Sequence, residues 1–311
     1  MKDVAGKVAF ITGGASGIGF GIARVFVKNS MKVVIADIRQ DALDEAVTWF
    51  GERGQGDSVH AVNVDITDRE ACARAADEAE AVFGKLHVLV NNAGVGSGGP
   101  LEKLTYKDWD YSMGVNVGGV INGVMTIVPR IIRHGEGGHV VATSSTCGLM
   151  GTPGMAVYCT TKYAVTGMME ALAGELREKN IGVSVLYPGL TKTNLGESSF
   201  VNRPAHLRNE GDTWPPQPPP GGQRRRPPRQ DIAMDPVETG ERVMRGIRNN
   251  DLFIHTHPEW RAGYQSRHDA VMRAIPDEPR NEARWDIFMN FGKIIYNDIY
   301  DEQQPVGPPD W

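Results

Sequence analysis

Tyr158 and Lys162 stand four residues apart in a segment where Val157, Val165, Met168, Met169, Leu172 and Leu176 recur at helical spacing. On a helix that interval stacks a phenol and an ammonium on one face. A fixed cation beside a phenol favours the ionised form, so the pair is expected to titrate Tyr158 below the free value of about 10. Such a tyrosine can exchange a proton with an alcohol near neutral pH. Taken alone the pair is weak, because a chain with eight tyrosines meets a Tyr-x-x-x-Lys spacing easily. The surrounding residues decide.

Thr12-Gly13-Gly14-Ala15-Ser16-Gly17-Ile18-Gly19 falls between an apolar run and a helical pattern. Glycines there allow a tight turn and let the main chain approach a pyrophosphate at a helix N-terminus. The loop therefore reads as a dinucleotide site with Gly13, Ser16, Gly17, Ile18 and Gly19 as contacts. Asp37 ends the next apolar run, where a carboxylate accepts from ribose hydroxyls and repels a 2′-phosphate. That favours NAD over NADP. Arg39 argues the other way, but it reads better as a solvated residue at a helix start. Asp65, with Ile66 beside it, ends a third run where an adenine would lie; capping the helix near 67 is its competing role. Asn92-Ala93-Gly94 closes a fourth, and small residues there let a cofactor pass close to the main chain.

Holding these residues together requires a particular set of elements. Apolar runs at 7–12, 32–37, 60–65, 86–90, 139–143 and 182–187 alternate with helical patterns at 17–29, 40–53, 67–83, 105–134 and the Tyr158 segment. Continuous apolar strands alternating with helices predict a parallel sheet covered on both faces by right-handed crossovers. The fold class is α/β, doubly wound and Rossmann-like with about seven strands, and ligands belong at the strands' carboxyl ends. Residues 1–195 form the dinucleotide-binding and catalytic core. Residues 196–236 form an irregular Pro/Arg-rich lid, because proline blocks long helices there. Residues 237–278 return a last helix and strand to the core, and 279–311 form a helical C-terminal extension.

Hydrophobic content of 41% with 23% charged residues suits a globular chain, and a net charge of −5 disfavours nucleic acid and anionic membranes as partners. No stretch approaches the ~18 apolar residues of a spanning helix, and the N-terminus has no signal-like core. The expectation is a cytoplasmic protein. Cys72, Cys147 and Cys159 form no CxxC and cannot pair completely, so they read as small core thiols in a reducing compartment. His255-Thr256-His257 tempts a metal assignment but lacks a third ligand, so none is expected. Arg224-Arg225-Arg226 reads as an exposed basic loop.

TGGASGIG, Asp37, NVD at 63–65, NNAG at 91–94, Asn116, Ser145, YCTTK at 158–162 and PGLTKT at 188–193 together resemble the short-chain dehydrogenase/reductase family. The resemblance covers residues 5–195 and is to the short-core type. It implies Tyr158 as general acid/base and Lys162 as its electrostatic partner and a ribose ligand. Ser145, thirteen residues before the tyrosine, would orient the substrate oxygen, and Asn116 would hold a water relaying protons from Lys162. Pro188, Gly189, Thr191 and Thr193 would contact the nicotinamide amide or the phosphates. Family members commonly pair through the Tyr-bearing helix and its neighbour, which implies a homodimer or homotetramer.

A closer likeness, in MKVVIADIRQDALDEA, GVINGVMTIVPR and YCTTKYAV, is to bacterial Cα-dehydrogenases that oxidise the benzylic alcohol of β-aryl ether lignin dimers with NAD. The expected activity is NAD-dependent hydride transfer with a secondary, benzylic alcohol or its ketone. A bulky alcohol such as a hydroxysteroid is the alternative substrate, and a non-catalytic NAD-binding regulator the alternative class. After Thr193 the likeness lapses. The tail's Trp285, Phe288, Phe291, Tyr296, Tyr300 and Trp311 could pack on a partner subunit or on the chain's own core.

Overall fold

The fold was obtained as a computed structural model that describes residues 1–215, 231–290 and 298–307. The apolar runs become β1 (Val8–Thr12), β2 (Lys32–Asp37), β3 (Val59–Asn63), β4 (Val88–Asn91), β5 (Gly138–Thr143), β6 (Ile181–Tyr187) and β7 (Phe253–His255). They form one sheet in the order β3-β2-β1-β4-β5-β6-β7, every pair parallel. The helices are α1 (Gly17–Lys28), α2 (Gln40–Gly51), α3 (Arg69–Phe83), α4 (Tyr106–Met113), α5 (Gly119–His134), α6 (Ala156–Leu176), α7 (Leu195–Val201), α8 (Pro236–Asn249), α9 (Arg261–Arg273) and α10 (Glu282–Asn290). The doubly wound α/β expectation is met, with seven strands.

Continuous apolar runs are needed because each strand is covered twice. Ala9, Ile11, Val33, Ile35, Val88 and Val90 turn to one face and pack with side chains of α1, α2 and α8. Val8, Phe10, Val34, Ala36, Leu89 and Val140 turn to the other, with α3, α5 and α6. α1 and α8 cross so closely that a Cβ on Gly21 would sit 2.2 Å from the Pro236 carbonyl oxygen. Only glycine fits that contact.

α4 runs into α5 through a single π-helical turn, Gly114–Gly118. Three glycines and two valines in Gly114-Val115-Asn116-Val117-Gly118-Gly119 weaken regular α-helix there, and the wide turn carries Asn116. The stretch Tyr106–His134 is long and apolar enough to cross a bilayer by length and composition, which corrects the expectation that none approaches this. Half of its most apolar window is buried inside the fold, so sheet packing accounts for its character.

The lid is closed at its base. Lys192 N–H donates to Met234 O at 3.0 Å and Met234 N–H to Leu190 O at 2.9 Å. It was expected to be irregular, yet it begins with the two turns of α7. Residues 216–230, including Arg224–Arg226, lie outside the described residues. At the far edge, segment 298–307 covers β7: Phe253 N–H donates to Gln303 Oε1 at 2.8 Å, and Tyr300 stacks on Phe253. Tyr300 thus packs on its own core. Phe291, Tyr296 and Trp311 fall outside the described residues, and Phe288 on α10 is exposed.

Candidate active site

The chain leaves β1 for β2 and β3, then returns to β4 on the other side of β1. That reversal opens a crevice beyond the carboxyl ends of β1 and β4. A cavity of about 480 Å³ lies there. It is bordered by Gly13, Ser16, Gly17, Ile18, Asp37, Asp65, Ile66, Asn92, Ala93 and Gly94, and also by Ser145, Tyr158, Lys162, Pro188, Gly189, Thr191 and Thr193. Of the residues expected at the site, only Gly19 and Asn116 stand behind its wall.

Gly13 takes a left-handed φ of 60°, and a Cβ on it would meet Ala93 Cα at 2.8 Å. Gly19 has a different duty: its missing side chain leaves room for the Gly13 carbonyl and the Asn92 amide. Asn92 Nδ2 donates to the Thr12 and Gly13 carbonyls at 3.3 and 3.1 Å, and Asn92 Oδ1 accepts from Thr143 Oγ1 at 3.2 Å. One amide therefore ties together the ends of β1, β4 and β5. Thr193 lies against Gly17, so the loop after β6 closes on the glycine turn.

Asp37 accepts from Ala15 N–H at 3.2 Å and Arg39 N–H at 3.1 Å. Burial pushes its carboxyl above the ordinary value, although those amides resist. Arg39 turns its guanidinium to Asp41 at the start of α2, in line with the solvated helix-start reading. Asp65 does not cap a helix: its Oδ1 accepts from Thr67 N–H at 2.9 Å and Thr67 Oγ1 at 2.8 Å. Asp68 caps α3 instead, accepting from Ala71 N–H. The Thr67 bonds make Asp65 a turn residue at the cavity's edge.

Tyr158 sits in the first turn of α6, where the Ser145 hydroxyl hydrogen-bonds its phenol. Lys162, one turn on, is 4% exposed; its Nζ lies 5.5 Å from the Tyr158 ring centre and donates to Thr143 O at 2.9 Å. The expected downward shift of the phenol is overturned in the ligand-free chain. Burial pushes Tyr158 up to about 12, more than the Ser145 hydrogen bond offsets. The same burial brings Lys162 down to about 8, the nearby Cys147 sulfur acting in the opposite sense. Both ionised forms lack water around them, and a carbonyl is weak compensation for an ammonium.

Asn116 Oδ1 accepts from Val95 N–H at 2.8 Å, and its Nδ2 donates to Val95 O at 2.9 Å and Thr161 Oγ1 at 3.1 Å. The side-chain amide is thus occupied in pinning the loop after β4 to α6. Both amide hydrogens are taken, while Oδ1 accepts one bond of the two it can. Gly94 leaves a gap there, since a Cβ would lie 3.0 Å from Asn116 Oδ1 and 3.5 Å from Lys162 Nζ.

Three features were hidden in the sequence. α7 and the segment after it dock on α4. Gly96 N–H donates to Ser199 Oγ at 2.8 Å, Tyr111 Oη to Ser199 O at 3.1 Å, and Arg203 pairs with Asp108 at 2.8 Å in a nearly buried contact. No local pattern signals pairs some ninety residues apart. His255 stacks on Tyr187, while His257 Nε2 meets Leu190 O and its ring underlies Gly189, so this pair braces the turn after β6. Cys147 and Cys159, expected to be small core thiols, both engage Thr152. Their places, two after Ser145 and one after Tyr158, carried that signal.

The sequence pattern of the short chain dehydrogenase family matches residues 7–203. The chain belongs to that family. Within it, the chain is 41% identical over 276 residues to the "C alpha-dehydrogenase" of Sphingobium sp. strain SYK-6, covering 88% of each protein. It superposes on the apo form of LigO from the same strain with a TM-score of 0.75 and 41% identity, over 96% of this chain and all of that one. A short-chain dehydrogenase/reductase from Burkholderia phymatum in complex with NAD gives a TM-score of 0.79 at 31% identity, over 90% of this chain and all of that one. The protein is therefore an oxidoreductase of the short-chain dehydrogenase family, which uses a nicotinamide cofactor. The residues present suit such a group. The glycine turn leaves a cradle that side chains would fill, the Gly94 gap adjoins a buried ammonium that donates to the Thr143 carbonyl, and a carboxylate waits at the far end.

Proposed function

We propose that this protein is an NAD-dependent dehydrogenase of secondary aromatic alcohols, working on the benzylic carbon, with Tyr158 as general acid/base. The observation that carries the reading is the convergence of Ser145 and Lys162 on Tyr158 in a cavity that continues to Asp37. The nicotinamide supplies the hydride acceptor in one direction and the donor in the other.

The chain's own part is to manage a proton and a developing charge. Ser145 Oγ donates to the substrate oxygen and holds it against the phenol. Tyr158 Oη, as phenolate, takes the alcohol proton; as phenol, it gives one to a carbonyl oxygen. Lys162 stabilises the phenolate and, freed from reliance on Thr143 O, donates to ribose hydroxyls. Gly13, Ser16, Gly17, Ile18 and Gly19 hold the pyrophosphate, Asp37 the adenosine ribose, and Asp65 and Ile66 the adenine. Asn92, Ala93 and Gly94 flank the path, and Pro188, Gly189, Thr191 and Thr193 hold the nicotinamide end. Asn116 positions α6 and keeps acceptor capacity on Oδ1 for a relayed water.

The aromatic alcohol is favoured by the likeness to the Cα-dehydrogenase, and Leu195 and Leu207 offer it apolar contacts at the cavity beside Ser198, Asn202 and His206. A homodimer or homotetramer and a cytoplasmic site of action complete the proposal; Ile121 and Met125 leave an apolar strip exposed on α5. The deciding experiment follows nicotinamide absorbance with racemic aryl-glycerol ethers, hydroxysteroids and simple secondary alcohols. Turnover of the aryl ethers with NAD, abolished in Tyr158→Phe, is the expected result. Turnover confined to steroids would replace the substrate, and tight NAD binding without turnover would make the protein a regulator.

A further inference from the structure

Cys147 and Cys159 belong to the two segments that carry Ser145 and Tyr158. Cys147 lies in the turn after β5, and Cys159 in the first turn of α6. Both thiols engage Thr152, which joins the two segments, and Cys147 lies near enough to the Cys159 thiol to hold it up. Cys147 Sγ lies 3.6 Å from Thr152 Oγ1, and Thr152 N–H donates to Cys159 Sγ at 3.4 Å. Cys147 is partly exposed, whereas Cys159 is buried. Both act electrostatically on Tyr158, and Cys147 acts on Lys162 as well. The third cysteine, Cys72, is remote on α3 with its thiol on Ile66 O. Nothing in the proton and hydride chemistry uses the pair.

We infer that Cys147 and Cys159 form a redox-active dithiol whose disulfide switches off the adjoining site. Their unequal exposure sets the order of events. The Cys147 thiolate attacks a small-molecule disulfide, forms a mixed disulfide and expels one thiolate. The Cys159 thiolate then attacks the Cys147 sulfur and expels the second. Two cysteine protons are released, two electrons pass to the small disulfide, and the protein gains one S–S bond. Cys159 needs no access to solvent, since its only target is the Cys147 sulfur, which shares Thr152 with it. Burial holds its thiol up while the Thr152 amide favours the thiolate, so closure quickens as pH rises.

Oxidation matters because of where the pair sits. A disulfide fixes its two sulfurs at about 2.05 Å, and forming it pulls on the Ser145 turn and the Tyr158 turn, which carry them. A displacement of about 1 Å costs about a hundredfold in rate. The activity arm of the test rests on the dehydrogenase reading; the covalent arm does not.

The reduced full-length protein is incubated with glutathione disulfide, and free thiols and tryptic peptides are analysed. The expected result is a fall from three free thiols to one, with the peptides of Cys147 and Cys159 cross-linked and Cys72 free. Cys159→Ser should stop at a glutathione adduct on Cys147, and Cys147→Ser should keep its thiols. Dehydrogenase activity should fall about a hundredfold as the link forms and return with dithiothreitol, and the Cys147→Ser/Cys159→Ser protein should be insensitive. Persistent free thiols, a glutathione adduct on wild-type Cys147 without cross-link, or a linked protein with full activity would each overturn the inference. If no alcohol is turned over at all, the dehydrogenase reading fails while the thiol count and peptide map still decide the dithiol.

Discussion

At Tyr158 two effects compete, and their sizes decide the outcome. The Ser145 hydroxyl favours phenolate, but burial costs more and leaves the phenol at about 12 in the ligand-free chain. Oxidation needs the phenolate, so its rate should climb with pH through the neutral and alkaline range, while ketone reduction, which uses the neutral phenol, should stay level until pH nears that value. Tyr158→Phe should lower kcat by about 10²–10⁴ without unfolding the chain, as read from initial rates alongside circular dichroism. Asp37 is the other residue that makes a sharp forecast. Losing two charge-assisted hydrogen bonds to a ribose should weaken NAD about 10- to 100-fold and admit NADP, measured as the ratio of kcat/KM for the two cofactors. An unchanged preference would remove Asp37 as the discriminator.

Among the elements, α1 carries the glycine turn at one end and crosses α8 at Gly21. A methyl group there would drive the helices apart, so Gly21→Ala should cost about 1–3 kcal/mol in a denaturant titration. The lid depends on a different contact. Arg203 holds Asp108 in a pair about a tenth exposed on each side, and Asp108 also accepts from Thr105 N–H to cap α4. Arg203→Ala should loosen α7 and the segment after it, raising KM for the alcohol more than it lowers kcat. Limited proteolysis should then cut near residues 203–212 sooner than in the wild type. Helices and strands were readable because each obeys a local rule: a short continuous apolar run for strands, apolar spacing for helices. α7 was missed because its seven residues sit in a Pro-rich stretch, and its place is set by contacts with α4.

For the whole molecule, acid stability follows from a histidine no site uses. His139 is fully buried in β5, its Nε2 bonded to Ser184 Oγ at 2.8 Å and its Nδ1 without a partner among the described residues. Burial lowers its pKa to about 3. The unfolded histidine titrates near 6.5, so between these values the unfolded state binds the extra proton and stability falls as pH falls. The contribution approaches about 1.4 kcal/mol per pH unit. His139→Leu should flatten the loss of Tm between pH 6 and pH 4 relative to wild type, by calorimetry, even if it lowers Tm at neutral pH.

The sequence by itself determined the sheet, its alternation with helices and the strand-end residues, since those follow from period, turn chemistry and chain order. Every expected cofactor residue except Gly19 borders the cavity for that reason. Tertiary structure alone decided how far burial outweighs Ser145 at Tyr158, that Asn116 spends its amide on Val95 and Thr161, that Asp68 rather than Asp65 caps α3, and that two cysteines flank Thr152. These depend on desolvation and on contacts between distant segments. Neither is a function of neighbours along the chain.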